Sequence, residues 1–594
     1  MKFYSVEKYI SFFTNIKNAP LGLKKGAVPK VEFEFEGSAF WYIFIAIFGF
    51  AAFIVLGLIL VVVWGFLGIV SLPLIFASYF AFFMTVIVLT QVNYYDIEKK
   101  DTHFRRLWKH NMGYLVHLLR VRSLYTRYPK ISPYLIKPIQ KETETKPHIT
   151  EKDFVLFIGK STGLMSQLWH GSALAPDQNV LLDINDASKN ILVLGGIGSG
   201  KTSSIMQPLL LQLLHQNCGG LIFDIKGDVK NTTLTFAKCT NRHIRILGPS
   251  QSNFNLLCGL SPEIASSFLK SSLMLSNGHN LDGFWIDTAT ELSRNALGLL
   301  AFIPKHYTLV DLYRYIFDKD AHKLIEKKLQ ETRKTLSPKQ KRLFDVYHKY
   351  KTSIFDSFDE KVKSGVKATL AQTLSPFSHP ELADAFCSEG EIEIEGILNG
   401  AVFLVDMPIA IWGLGAKVAY TFIKLRFFNL MQKHHNAENR KLPVFFMCDE
   451  FQEIVSCNKD GLSDLNFWDK ARSSKTIGII SAQSIASIFA ATPNRDYAYA
   501  LLQNFRNKIC LASEDPLTID YISQLTGKAK TKKRSESSGS SGGGSTISEV
   551  RDEVLEAQIF RSLSPQSALA LLTINNLSSD DALKLYPIFL TKQN

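Results

Sequence analysis

The stretch Asn190–Leu210 sets the narrowest limits on this chain, because a short apolar segment runs through a glycine-rich turn into Lys201-Thr202 and a second apolar segment. Ile191–Leu194 predicts a buried strand, Gly195–Gly200 a turn, and the residues from Lys201 onward a helix. That is the strand–GxxxxGK[ST]–helix order of a phosphate-binding loop. The backbone N–H groups of Gly195, Gly196, Ile197, Gly198, Ser199 and Gly200 would curl around a phosphate, and the helix opening at Lys201, Thr202 and Ser203 would point its positive end there. The spacing assigns Lys201 to the β- and γ-phosphates of ATP and the Thr202 hydroxyl to Mg²⁺. A chance match in a surface turn is the competing reading, and the strand before the turn and helix after it argue against it.

Downstream apolar runs end in chemistry of the same kind. Gly219–Phe223 leads to Asp224-Ile225-Lys226-Gly227-Asp228. Ligands of an open α/β sheet sit beyond the carboxyl ends of its strands, so Asp224 and Lys226 are expected to face the nucleotide. Many strands also end in Asp merely to make a turn. Val444–Cys448 ends in Asp449-Glu450, a Walker B pattern: Asp449 would hold Mg²⁺ and Glu450 would orient the attacking water. The structural alternative for that acid pair is a helix N-cap. A strand over 476–481 delivers Gln483 to the same edge, where it would sense the γ-phosphate or place water. Arg472 and Arg506 are candidates for a finger reaching a neighbouring subunit's phosphate, since the planar guanidinium grips phosphate oxygens; either could equally be an ordinary surface arginine.

The 594 residues carry a formal charge of +13 that is unevenly spread. Residues 97–152 hold 13 Lys/Arg against 5 Asp/Glu and residues 304–374 hold 16 against 9, leaving about −2 for everything else. The first basic run reads as a juxtamembrane linker lying on anionic headgroups, or as a nucleic-acid contact. Seven scattered cysteines without ligand spacing argue against disulfide frameworks and zinc sites. From Gly37 to Tyr95 no residue is charged. At 1.5 Å per residue that length suffices for two spans, expected near 40–64 and 72–92 and broken at Pro73. Lysines and arginines on both flanks then predict a two-pass inner (plasma) membrane protein with both termini cytoplasmic.

These signals give an α/β fold: a cytoplasmic N-terminal segment 1–36, a transmembrane hairpin 37–95, a basic linker 96–152, and a RecA-like nucleotide-binding domain of mostly parallel sheet over 153–303 and 375–594. Helical spacing across 304–374 predicts an inserted all-α subdomain, Ser535–Thr546 a flexible linker, and 568–573 a last strand.

Taken in order, the motifs resemble those of the TraG/TraD-type coupling proteins of type IV secretion. They are GxGSGKT followed by Pro208, the block from Asp224 to Asp228 in place of DPKGE, Phe284-Trp285, Asp449-Glu450-Phe451, Arg472, Gln483-Ser484, Leu525-Thr526-Gly527-Lys528 and Leu563-Ser564-Pro565. The resemblance implies a membrane-embedded, homo-hexameric ATPase using ATP and Mg²⁺. Its implied partners are single-stranded DNA with relaxase and relaxosome proteins, and inner-membrane components of the secretion channel. An FtsK-like double-stranded DNA translocase and a nucleotide-gated receptor without motor activity are the alternatives. Ile225 and Asp228 depart from the usual Pro and Glu, and the chain lacks a long acidic tail.

Overall fold

Six short segments are buried at almost every position: β3 (Ile191–Leu194), β4 (Gly219–Asp224), β6 (Val402–Asp406), β7 (Val444–Cys448), β8 (Thr476–Ala482) and β9 (Asn507–Cys510). Strands with no solvated face belong at the centre of a parallel sheet covered on both sides. In this computed structural model they form that centre, in the order β9-β3-β8-β7-β4-β6, with β5 (Ile244–Leu247) at the edge. All six pairings along that row are parallel. Beyond β9 the sheet turns antiparallel through β12 (Ser567–Ile574), β13 (Leu577–Lys584), β1 (Val155–Ser161) and β2 (Asn179–Asp183), making 11 strands in all.

The structure describes residues 6, 9–10, 12–14, 154–167, 174–277, 282–303, 307–434, 442–539 and 542–588. The chain divides into two compact units, one of Met1–Ala19, Glu142–Gly163 and Leu174–Asn594, the other of Pro20–Lys141 and Leu164–Ala173. Of the second, the short helix Leu164–Gln167 is described; the sheet and the site belong to the first. Among the described residues no helix is long and apolar enough to cross a membrane. That finding overturns the two-pass inner-membrane localisation expected from the sequence. The expected hairpin 37–95 and basic linker 96–152 lie outside the described residues.

Between β5 and β6 the chain is helical over a wider stretch than 304–374. Helices begin at Pro262–Asn277 and Gly283–Leu300, continue through Leu309–Phe317, Lys319–Thr335, Pro338–Lys349 and Glu360–Leu374, and close with Pro380–Phe386. Side-chain caps start several of them, including reciprocal pairs at Thr308/Asp311 and Ser337/Gln340. Within this bundle Glu326 accepts from the Tyr315 hydroxyl at 2.6 Å and lies 3.4 Å from Lys351 Nζ and 3.5 Å from His348 Nε2.

Two further differences concern the ends of the chain. Of residues 535–546, expected as a flexible linker, 535–539 and 542–546 fall within an antiparallel pair, β10 (Lys528–Gly539) and β11 (Gly542–Glu553), in register from Lys528↔Glu553 to Gly539↔Gly542. Gly and Ser lower strand propensity but do not forbid a closed backbone ladder. In the N-terminal segment Tyr9 and Phe13 are each 1% exposed. The Tyr9 hydroxyl accepts from Gln212 Nε2 at 3.0 Å, and the Phe12 ring meets Phe157 and Tyr586.

Candidate nucleotide-binding site

The parallel strands end together, and β8 lies between β3 and β7. The loop after β3 and the acid pair after β7 therefore open on one edge, with the end of β8 between them. Gly198 (φ 74°) and Gly200 (φ 93°) have left-handed backbones that let the loop after β3 curl. The chain then enters a π-helical turn, Thr202–Met206, before the α-helix Gln207–His215. Lys201 is 8% exposed, and its ammonium bonds the carbonyls of Gly195 at 2.6 Å and Gly196 at 3.3 Å. Burial pulls its pKa below the usual lysine value, opposed by Asp449 and Glu450 and reinforced by Lys226. The Ser199 hydroxyl is buried with no hydrogen-bond partner, and the Ile197 side chain is exposed, leaving that residue only its backbone to offer. The Leu563-Ser564-Pro565 motif packs here: the Pro565 carbonyl accepts from Ser204 Oγ at 3.0 Å, and Ile588 N–H donates to the Ser203 carbonyl at 3.0 Å.

Thr202 Oγ1 donates to Asp449 Oδ2 at 2.9 Å across 247 residues of sequence. Asp449 Oδ1 accepts from the Ser481 hydroxyl at the end of β8 and from Glu450 N–H at 3.0 Å. Glu450 follows with φ 56° and ψ 45°. One of its oxygens accepts from Lys226 Nζ, and Gln483 Nε2 lies 3.5 Å from the same oxygen; the other accepts from Gln452 Nε2 at 2.6 Å. Burial pushes the Glu450 carboxyl up. The hydrogen bonds from Lys226 and Gln452 and the charges of Lys226 and Lys201 outweigh it and hold the group below the ordinary carboxylate range. The loop beyond is fixed by a buried ion pair: Lys424 Nζ lies 2.6 Å from Asp464, both side chains 0% exposed. Asp464 also accepts from Ser456 N–H and Oγ, each at 2.8 Å, and from Trp468 Nε1 at 3.0 Å.

Lys201, Thr202, Ser199, Asp449, Glu450 and Gln483 thus share one edge. Asp224, expected among them, does not join. Asp224 is 0% exposed, and its carboxylate is consumed by the turn that follows. Oδ1 accepts from Gly227 N–H at 2.8 Å and Asp228 N–H at 3.0 Å; Oδ2 accepts from Val229 N–H at 3.1 Å and Lys230 N–H at 2.9 Å. With four donors filling its lone pairs, the side chain caps helix Lys230–Cys239 and is not a nucleotide contact. Arg472 is exposed and precedes β8, at the end of that strand opposite Ser481. Seven residues of strand put it about 20 Å from this edge. Lys226 is the contact that strand-end reasoning located only in part, since facing the ligand edge does not disclose a bond to Glu450.

A buried hydroxyl without a partner, a lysine on the loop's own carbonyls, and a Thr–Asp pair beside a second carboxylate form a donor set that suits a magnesium-bound polyphosphate. The fold and the site define a P-loop nucleotide-binding α/β protein. The chain belongs to the type IV secretory system conjugative DNA transfer family, whose model matches residues 138–560, the family of TraG/TraD-type coupling proteins. The bacterial conjugative coupling protein TrwBdeltaN70, in an unbound form, matches at a TM-score of 0.52 and 16% identity over 70% of this chain and 89% of that one. TrwB in complex with the non-hydrolysable ATP analogue ADPNP, and TrwB with ADP and Mg²⁺, each match at a TM-score of 0.50 and 16% identity over 69% of this chain and 88% of that one. At such identities the likeness is one of fold. No curated protein matches by sequence.

Proposed function

We propose that this chain is an ATP-driven coupling protein that brings relaxase-bound single-stranded DNA, or a protein cargo, to a type IV secretion channel and drives it in by hydrolysis. The observation that carries this reading is the bond between Thr202 and Asp449, with Glu450 alongside. It joins a phosphate cradle to two carboxylates at one sheet edge, the constellation that phosphoryl transfer to water requires. Family membership supports conjugative transfer as the setting, and the ligands named for TrwB support ATP and Mg²⁺.

In this reading Lys201 exchanges the carbonyls of Gly195 and Gly196 for phosphate oxygens and neutralises charge that grows during transfer. Thr202 and Asp449 hold Mg²⁺, which when bound screens the phosphate oxygens. Glu450 orients the attacking water and accepts its proton, and Gln483 keeps that carboxylate in place. Arg472 and Arg506 both precede their strands and are exposed. Either would serve a neighbouring subunit's phosphate in the homo-hexamer that the family resemblance implies. DNA would be held largely through its backbone, so binding would weaken steeply with salt.

The test is ATP hydrolysis by the full chain with and without single-stranded DNA, together with transfer in cells, for wild type, Lys201→Ala and Glu450→Gln. Both variants are expected to abolish turnover and transfer. Wild-type transfer by Glu450→Gln would overturn the motor reading, and hydrolysis indifferent to DNA would overturn DNA as the cargo.

A further inference from the structure

The carboxylate assigned to water is fully engaged in this structure. One Glu450 oxygen faces Lys226 and Gln483, the other Gln452, and the side chain is 4% exposed while that of Lys226 is 47% exposed. A left-handed backbone is disfavoured at a residue other than glycine, so surrounding contacts keep Glu450 where it is. Lys226 supplies the only full positive charge among its three hydrogen-bond partners.

Lys226 sits on the turn after β4 whose shape Asp224 sets, and that turn is fastened to another. Ile409 N–H donates to the Ile225 carbonyl at 3.0 Å, and a Cβ on Gly227 would lie 2.9 Å from the Pro408 ring. The residues from Pro408 to Gly413 follow β6, carry Ile411 at 71% exposure, and bend at Gly413 with φ 49° and ψ −122°. Nothing lies within 4 Å of a Cβ placed on Gly413. This segment therefore touches the turn that carries Lys226 through one backbone hydrogen bond and the packing of the Pro408 ring against Gly227.

We infer that Lys226 is a positioning residue that latches Glu450 in a resting setting, and that movement of the kinked helix start from Pro408 to Gly413 releases it for turnover. The inference rests on Glu450 as the water-orienting acid. Release frees one carboxylate oxygen for water and removes the nearest cation, leaving Lys201 and Asp449 as the charged groups facing Glu450. The exposed half of Lys226 gives the ammonium solvent to move into.

Lys226→Met, Lys226→Arg, Gly413→Ala and Glu450→Gln are compared with wild type for ATP hydrolysis by the full chain without DNA. Lys226→Met is expected to raise DNA-free kcat several-fold and to leave KM within about twofold. Lys226→Arg should restore the wild-type rate. Gly413→Ala, strained at its positive φ and remote from the phosphate loop, should also raise DNA-free turnover. If Glu450→Gln is inactive while Lys226→Met keeps the wild-type rate or loses activity, the latch is refuted alone. If Glu450→Gln turns over like wild type, the reading of Glu450 itself has failed.

Discussion

Asp224→Asn separates a structural from a ligand-binding role at the position where sequence reasoning and structure part. The carboxylate accepts four backbone N–H bonds of 2.8 to 3.1 Å, two on each oxygen, with no exposure. An asparagine keeps one carbonyl oxygen, able to serve one pair of donors, and turns an NH₂ group against the other pair. Two charge-assisted bonds disappear, each worth about 1.5–3 kcal/mol when the acceptor is ionised. Neighbouring losses do not add fully, so about 3 kcal/mol of destabilisation is expected. Thermal or urea unfolding reads that term. Titration of a fluorescent ADP analogue reads the other, and its Kd should stay within about threefold of wild type, because no contact to the phosphate loop is removed. A tenfold weaker Kd, about 1.4 kcal/mol, with unchanged unfolding would show that Asp224 reads the nucleotide and would refute the capping argument.

Replacing Asp449 by Asn should lower hydrolysis by about 100-fold or more and shift its Mg²⁺ titration to higher concentration, with a wild-type titration counting against a metal role. Lys424→Met strands the Asp464 carboxylate in a dry site and should cost about 3 kcal/mol. The double variant with Asp464→Leu should recover part of that loss in the same unfolding assay, and simple additivity would show the pair uncoupled. Burial pushes the Glu326 carboxyl up, but the Tyr315 hydrogen bond and the charges of Lys351, His348 and His322 hold it below its usual range. Its contribution to stability is therefore full above the unfolded pKa of about 4.3 and fades as pH falls through the lower folded value. Amide exchange in helices Lys319–Thr335 and Pro338–Lys349 should grow more acid-sensitive over that window in wild type than in Glu326→Gln, and equal sensitivity would discount the cluster.

What was legible beforehand follows from how local each signal is. β3, β4 and β7 could be read because each is a short apolar run that gives way to a glycine turn or an acid, and a strand dry on both faces has little else it can be. β9 could not. Asn507 and Lys508 look solvated, yet Asn507 Nδ2 donates to the Asp186 carbonyl at 2.8 Å and Lys508 Nζ to the Phe505 carbonyl at 2.7 Å. Burial brings the Lys508 pKa down to about 8. Such partners exist only once the chain has closed. The meeting of Thr202 and Asp449 was accessible because both belong to spaced motifs with one shared ligand chemistry. A strand-end aspartate carries no such cue, since the same residue at the same place either greets a ligand or folds back onto N–H groups, as Asp224 does. Arginine chemistry is visible in sequence at Arg472, but the end of β8 that it occupies is set by the fold. The hairpin β10–β11 was hidden because its Gly/Ser composition weakens strand propensity without touching register.

The mooring of Tyr9 beneath helix Gln207–His215 bears on how this protein is handled. The helix that continues from the phosphate loop carries Gln212, whose amide grips Tyr9 on one side and the Phe157 carbonyl at 3.0 Å on the other. Preparations trimmed at the front of the chain would strip Phe12 from Phe157 and Tyr586 and leave a sticky apolar scar behind the phosphate loop's helix. Rates measured on such fragments would then describe a loosened machine, and keeping the first nineteen residues, even as a separately added peptide, is the simple remedy.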